Sequence, residues 1–422
     1  MQRLGSSSVR RARACALALL GLVAFLVSAP AMAQVVDADL RTSLFVEPSK
    51  KSHMTVLTPS ASVAATPVDF LTVNAGWAAD VVSGASEPLK AGPNFRDTPD
   101  IVSAASVTDF RQVATGGLTA HRGHTDFGAS YSYGTEHDYR SNAITATASS
   151  DFFQRNTKLE VAFSHGFDEV CDLASNARQV STERQALDSS KGCFTSAKDR
   201  RSLDVSIDNF QGAWTQSWTP VLATQLVLTG SVLHGFLSNP YRSVVVGPSG
   251  EAAQEHHPDD RARAAAALRV KYYVRALDLA LGAGVRAYHD TWDITSQSYE
   301  LDVEKNLLSW LRLRVNGRYY RQTAALFWSD DYTGGEPANG PRGQYFSGDR
   351  ELSPLSSVLG GGRVTASFHG RPGQRIGRLF LDLEASFGAD MMRTFLSDFT
   401  WAGRHPDDTT IFLFGGNLSA TF

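Results

Sequence analysis

Hydrophobic residues recur at every second position along much of this chain. Over 379–387, Leu379, Leu381, Leu383, Ala385 and Phe387 share one parity, and Asp382, Glu384 and Ser386 take the other. Over 311–320, Leu311, Leu313, Val315 and Tyr319 oppose Arg312, Arg314, Asn316 and Arg318. Shorter strips set Leu159, Val161 and Phe163 against Lys158 and Glu160, and Leu203, Val205 and Ile207 against Asp204, Ser206 and Asp208. Leu268, Val270, Tyr272 and Val274 oppose Arg269, Lys271 and Arg275. Charges at strict two-residue spacing belong to strands, because successive side chains of a strand point to opposite faces. The pattern predicts strands near 37–46, 52–64, 68–83, 108–120, 124–134, 141–151, 156–166, 203–217, 221–235, 264–275, 278–289, 296–305, 311–327, 358–369, 376–395 and 410–422. That is about sixteen strands, with fourteen as the alternative because Pro59 interrupts one of the first pair.

The connections alternate in length. Short turns are expected at 65–67, 121–124, 218–220, 306–310 and 370–374, and long loops at 84–107, 167–202, 236–263 and 328–357. Trp218 and Trp310 fall near the short turns, and Trp292, Trp328 and Trp401 near the long loops, as interfacial girdles require. Short turns on one side and long loops on the other mark a transmembrane β-barrel. In lipid every backbone polar group needs an internal partner, so an amphipathic β chain of this length closes on itself.

The N-terminus supports export. Arg3, Arg10, Arg11 and Arg13 precede an apolar stretch from Ala14 to Val27, and Ala31-Met32-Ala33 is a small-x-small cleavage site. Residues 1–33 therefore read as a signal peptide, leaving a mature all-β domain over 34–422. No later apolar run is long enough for a membrane helix. At the other end, Phe412, Phe414, Leu418, Ala420 and Phe422 alternate with Asn417, Ser419 and Thr421. The terminal Phe422 resembles the signal read by the barrel-assembly machinery. It should sit at the periplasmic rim beside the first strand. Together these features predict the outer membrane of a Gram-negative bacterium, with outer-membrane lipid around the barrel.

Composition changes little. A mean hydropathy of −0.19 suits a barrel, whose lipid-facing and lumen-facing residues average out. A formal net charge of −3 without a basic block gives no sign of nucleic-acid binding. After loss of Cys15, only Cys171 and Cys193 remain, an even pair expected to form a disulfide in an oxidising compartment.

Several stretches resemble a family of uncharacterised bacterial outer-membrane proteins, a domain-of-unknown-function family. They include Ala79-Asp-Val-Val-Ser-Gly-Ala-Ser86, Phe163-Ser-His-Gly-Phe-Asp-Glu-Val170, Asn239-Pro-Tyr-Arg-Ser-Val244 and Arg269-Val-Lys-Tyr-Tyr273. Further matches are His289-Asp-Thr-Trp-Asp-Ile294, Arg318-Tyr-Tyr-Arg-Gln322 with Phe327-Trp-Ser-Asp330, and Asp349-Arg-Glu-Leu-Ser353. The resemblance spans about 40–422 and implies a membrane barrel; it supplies no catalytic residues, because the family has no settled activity. It also implies envelope redox proteins, of flavin-transfer and thioredoxin type, as partners.

The sharpest constellation is a charged lumen. In the hairpin 296–305/311–320, pairing Glu304 with Arg312 sets Asp302 opposite Arg314 and Glu300 near Asn316, with Arg286 facing Glu300 across the next pair. Glu300, Asp302, Glu304, Arg312, Arg314, Arg318, Arg286, Arg269 and Lys271 are expected to line the interior. Opposed charges there would orient polar solutes in a constriction, or fill a closed lumen by pairing with each other. No metal site is assigned to His256, His257, Asp259 and Asp260, or to Asp330, Asp331, Asp349 and Glu351, which are groups that polar loops carry routinely. No cofactor is implied, because Gly360-Gly-Gly362 and Gly415-Gly416 lack the strand–loop–helix context of a phosphate loop. No G-x-S-x-G is present. His165, His234 and His289 lie near strand ends, where an outer-membrane hydrolase would keep its chemistry, but Ser164 and His165 must face opposite sides. A channel or docking site for small polar solutes is the leading expectation; a closed scaffold for an envelope partner and a hydrolase are the alternatives. No enzyme is expected.

Overall fold

The computed structural model describes residues 35–48, 53–84, 101–103, 108–136, 139–171, 202–239, 242–246, 251–330, 332, 343–370, 381–396 and 408–422. Nineteen strands follow one another: β1 (Val35–Pro48), β2 (His53–Val68), β3 (Leu71–Gly84), β4 (Ile101–Ser103), β5 (Thr108–Arg122), β6 (Thr125–Thr135), β7 (Tyr139–Phe152), β8 (Thr157–Cys171), β9 (Ser202–Thr219), β10 (Leu222–Gly235), β11 (Arg242–Val246), β12 (Glu251–Gln254), β13 (Asp260–Val274), β14 (Leu279–Asp290), β15 (Thr295–Leu308), β16 (Leu311–Gln322), β17 (Leu355–His369), β18 (Asp382–Phe395) and β19 (Thr409–Thr421). Sixteen of them form one closed antiparallel barrel. The remaining three, in the order β12-β11-β4, make a small sheet from two of the long loops. Among the described residues no helix is long and apolar enough to cross a membrane.

The barrel closes where β1 meets β19, with Asp37 opposite Thr421 and Val46 opposite Phe412. The Phe422 backbone amide donates to the Val36 carbonyl at 2.9 Å, so the last residue is tied to the first strand. Pro59 does not remove its strand. The β2–β3 ladder keeps one register on both sides of Thr58 and Pro59, and the Thr58 hydroxyl donates to Asp80 across the gap at 2.7 Å. The proline lacks one donor and the barrel tolerates the gap, which settles the count at sixteen.

Outward-facing positions carry the apolar residues. Leu118, Ile144, Val161, Leu228, Leu268, Leu301, Val315 and Phe387 are all exposed on the outer wall. Such a continuous apolar belt is stable only against hydrocarbon. At the short-turn end, Phe70, Phe127, Phe152, Phe153, Trp218 and Trp310 are also exposed, an aromatic rim. Trp292 does not join the opposite rim. It is buried with Ile294, Ala325, Phe327 and Leu352 in a cluster over the barrel mouth. Trp401 and the expected turn at 371–374 lie outside the described residues, as do residues 1–33 and Cys193.

Several boundaries differ from the sequence-based expectation: β8 runs on to Cys171 rather than 166, and β13 begins at Asp260 rather than 264. β16 ends at Gln322 rather than 327, because Ala325 and Phe327 leave the wall to join the cluster over the mouth. The β15–β16 turn is also tighter than the 306–310 loop that alternation suggested. β15 continues to Leu308, with a register shift between Asn306 and Leu308.

Candidate functional site: the lumen and its mouth

The ladder partners and the two-residue alternation place one parity of every strand toward the interior. Glu300, Asp302 and Glu304 of β15 point inward, as do Arg312, Arg314 and Arg318 of β16, Arg286 of β14, and Arg269 and Lys271 of β13. Leu301, Val303, Leu311, Leu313 and Val315 take the outward parity.

The register within this hairpin is offset by two residues from the expected one. Glu304 stands opposite Arg314, Asp302 opposite Asn316 and Glu300 opposite Arg318. The tight turn after Leu308 is the reason. The ion pairs form nonetheless, as diagonals: Arg314 to Asp302 at 3.1 Å and Arg312 to Glu304 at 3.6 Å. Arg286 faces Ser298 rather than Glu300. Glu300 instead meets Arg269 of β13 at 2.9 Å, reaching over the intervening β14 where Gly284 leaves the wall bare. Two further wall glycines are overlain by carboxylates. The Asp302 carboxylate lies over Gly282, where a Cβ would collide with it. Asp390 lies over Gly361 and accepts from Asn316 of β16, two strands away, at 3.0 Å. Glycines in the wall thus let charged groups pair across a strand. Alternation alone does not reveal this, because it treats glycine as a neutral position.

The acidic members of this patch are paired and several basic ones are not. Asp290, Glu300, Asp302 and Glu304 each hold an arginine. Arg263, Lys271, Arg286, Arg318 and Arg363 make no ion pair among the described residues. The Nε atoms of Arg263 and Arg318 are shielded and without a partner. Asp37, Asp80 and Asp390, which make no ion pair with an arginine among the described residues, lie on β1, β3 and β18, the other arc of the wall, where Asp80 stands opposite Arg111 in the β3–β5 register. The arginines without an ion pair are thus concentrated on the β13–β17 arc.

Cavities occupy the lumen at successive positions. One of about 490 Å³ runs between Arg312, Arg314, Arg363 and Glu384 and the β1–β2 wall at Arg41 and Thr58. Another, of about 470 Å³, lies beside Asp37, Asn74 and Glu384. Toward the long-loop end, cavities of about 640 and 510 Å³ share Arg261, Arg263, Glu351 and Leu352.

The long loops fold over the mouth. His256 and Phe346 exchange backbone hydrogen bonds at 3.1 and 2.9 Å, joining the loop before β13 to the loop before β17. The turn at Arg350–Leu352 dips into the lumen, and Arg350 reaches Glu47 of β1 at 3.2 Å. Gln322 fixes that turn by donating to the Glu351 and Ser353 carbonyls at 2.9 and 2.7 Å. Glu255 and His257 are buried here, 3.4 Å apart, with His257 against the rings of Trp292 and Phe327. Tyr332 is buried nearby and donates to the Ser347 carbonyl; burial, and after it the Glu255 charge, raises its pKa above the ordinary tyrosine value. Among the described residues no cluster of three or more His, Cys, Asp or Glu is placed to hold a metal.

The histidines near the strand ends lie on the outer wall. His165 pairs with Asp208 at 2.8 Å and His234 with Asp260 at 2.7 Å, while His289 meets Thr295 at 3.1 Å. Ser164 points inward, away from His165. At this end the polarity of the strands reverses: Val170, Val205 and Leu233 face inward and are buried, whereas Glu169, Asp208 and His234 face out. Above the apolar belt the outside meets water and the inside meets packed loops, so the same parity carries the opposite chemistry.

Comparison with solved structures returns large outer-membrane barrels. A bacterial polysaccharide outer membrane secretin is 8% identical with a TM-score of 0.45, over 91% of this chain and 98% of that one. OccK2 (OpdF) of Pseudomonas aeruginosa, in complex with glucuronate, is 10% identical with a TM-score of 0.41, over 92% and 98%. OccAB1 of Acinetobacter baumannii is 8% identical with a TM-score of 0.40, over 93% and 98%. No curated protein matches the sequence. A family of proteins of unknown function, DUF3570, matches residues 10–376, nearly the whole length up to the last two barrel strands, and the chain belongs to that family.

Proposed function

We propose that this protein is a channel for small polar solutes in the outer membrane of a Gram-negative bacterium, reached after loss of the segment 1–33. One observation carries the reading: sixteen strands close around a charged interior. Barrels of about eight strands are filled by their own side chains, whereas those of about sixteen to eighteen leave an aqueous channel. The successive cavities along the wall and the unpaired arginines support passage rather than a packed core. The concentration of unpaired arginines on the β13–β17 arc would favour anions there. Ser206 stands opposite His234 on the outer face, but among the described residues no hydrogen bond joins the two, and we assign no catalysis.

The test is conductance of the purified protein in a planar bilayer. We expect single-channel steps, and a reversal potential under a salt gradient that moves toward cation selectivity when Arg312→Glu and Arg314→Glu are combined. A folded barrel with no conductance would favour the rival reading, a closed scaffold for an envelope partner such as a redox protein.

A further inference from the structure

The chamber of about 640 Å³ at the long-loop end has the composition of a binding site. Its volume falls within the range of small-molecule pockets, about 300–1,000 Å³. Arg261, Arg263 and Arg286 stand on one side of it. Arg261 is committed: its Nε donates to Asp290 at 2.9 Å, and its guanidinium lies 4.0 Å above the Trp292 ring. Arg263 is the group left over. Its partner in the β13–β14 register is Asp290, whose carboxylate Arg261 has taken. Arg263 consequently has a shielded Nε without an acceptor and no ion pair among the described residues. Arg286 is also unpaired and lies 6.0 Å from the Tyr288 ring. A half-buried guanidinium without a counterion is costly, and an anion in the chamber removes that cost.

The adjoining wall is uncharged and rich in hydrogen-bonding groups. Ser164, Asn209, Gln211 and Thr229 line it from β8, β9 and β10. Glu351, on the inward-dipping turn, is the carboxylate that lines the chamber. With Arg261 neutralised by Asp290 and one further guanidinium offset by Glu351, a single positive charge is left to be matched. We propose that this chamber is a binding subsite for a small polyhydroxylated monoanion, its carboxylate held by Arg263 and Arg286 and its hydroxyls by the neutral wall. Glu351 acts against dianions. The proposal deepens the channel reading by naming a solute class, but binding does not require that the barrel conduct.

The experiment is calorimetric titration of the full-length protein in detergent with gluconate, acetate, glucose and tartrate. Gluconate should bind, with acetate and glucose each about tenfold weaker or more, because each lacks one half of the recognition. Arg263→Gln should weaken gluconate about tenfold and leave glucose unchanged, while Arg263→Lys keeps part of the affinity. Glu351→Gln should strengthen tartrate relative to gluconate. Heat-dependent mobility on SDS gels verifies that each variant is folded. Glucose binding as tightly as gluconate, or unchanged gluconate binding in folded Arg263→Gln, overturns the proposal. Gluconate binding without conductance keeps the subsite and defeats the channel; conductance without gluconate binding does the reverse.

Discussion

The carboxylate of Asp290 accepts from four groups. Arg261 and the Tyr288 hydroxyl approach one oxygen, at 2.9 and 2.6 Å, and the backbone amides of Trp292 and Ile294 approach the other, both at 3.0 Å. The side chain is fully buried, and it holds the β14–β15 turn and the arginine that stacks on Trp292. Asp290→Ala would leave a buried guanidinium and two amides without acceptors, a loss of about 3–5 kcal/mol. We expect the variant to unfold at lower temperature, with Trp292 emission shifted to the red; an unchanged melting profile would refute this account of the turn. At this scale the sequence was only partly legible. Alternation identified which residues of β15 and β16 face inward, because a charged row on the lipid side is prohibitive. It did not fix their partners. Those depended on a two-residue turn and on glycines at 284 and 361, whose effect is to let side chains reach past a strand.

At the scale of elements, period two was enough to find the sixteen barrel strands, because the outer belt is apolar wherever it meets lipid. It could not find the small β12-β11-β4 sheet, whose strands are three to five residues long and make no amphipathic strip. It also could not anticipate the loop cluster around Phe327, where hydrophobic residues pack without a period. The reversed polarity of β8, β9 and β10 above the belt has the same origin. Alternation reports a difference between two faces, and only the surroundings decide which face is wet. β8 ends at Cys171, which is fully buried, and Cys193 lies in the loop that follows, outside the described residues. We propose that the two are bonded. In the chain-entropy model a loop of about 23 residues closed in this way contributes about 3 kcal/mol. Thiol titration of the unreduced, denatured mature protein should therefore find no free cysteine, and two free thiols would reject the bond. Replacing both cysteines by alanine should lower stability by about that amount.

For the whole molecule, the proposed orientation puts the short turns in the periplasm and the folded loops outside. An epitope placed at 245–258 should be labelled on intact cells and one at Pro220 only after permeabilisation; labelling at Pro220 on intact cells would invert the assignment. The arc of unpaired arginines and the covered mouth were beyond the sequence, since both depend on which strands become neighbours when the sheet closes. The β1–β19 seam has a kinetic consequence. Asp39 and Ser419 touch across 380 residues of chain, so β1 must wait for the last strand to be delivered. The cost of joining such distant segments is entropic and comes due late. Until then the curved sheet has two raw margins, each able to capture another chain. Truncation before β19 should thus leave material that aggregates or is degraded during biogenesis rather than a smaller pore. Conversely, the adjacency of the two ends means that a linker from Phe422 to Val35, with new ends opened in a long loop, should yield a permutant that still closes.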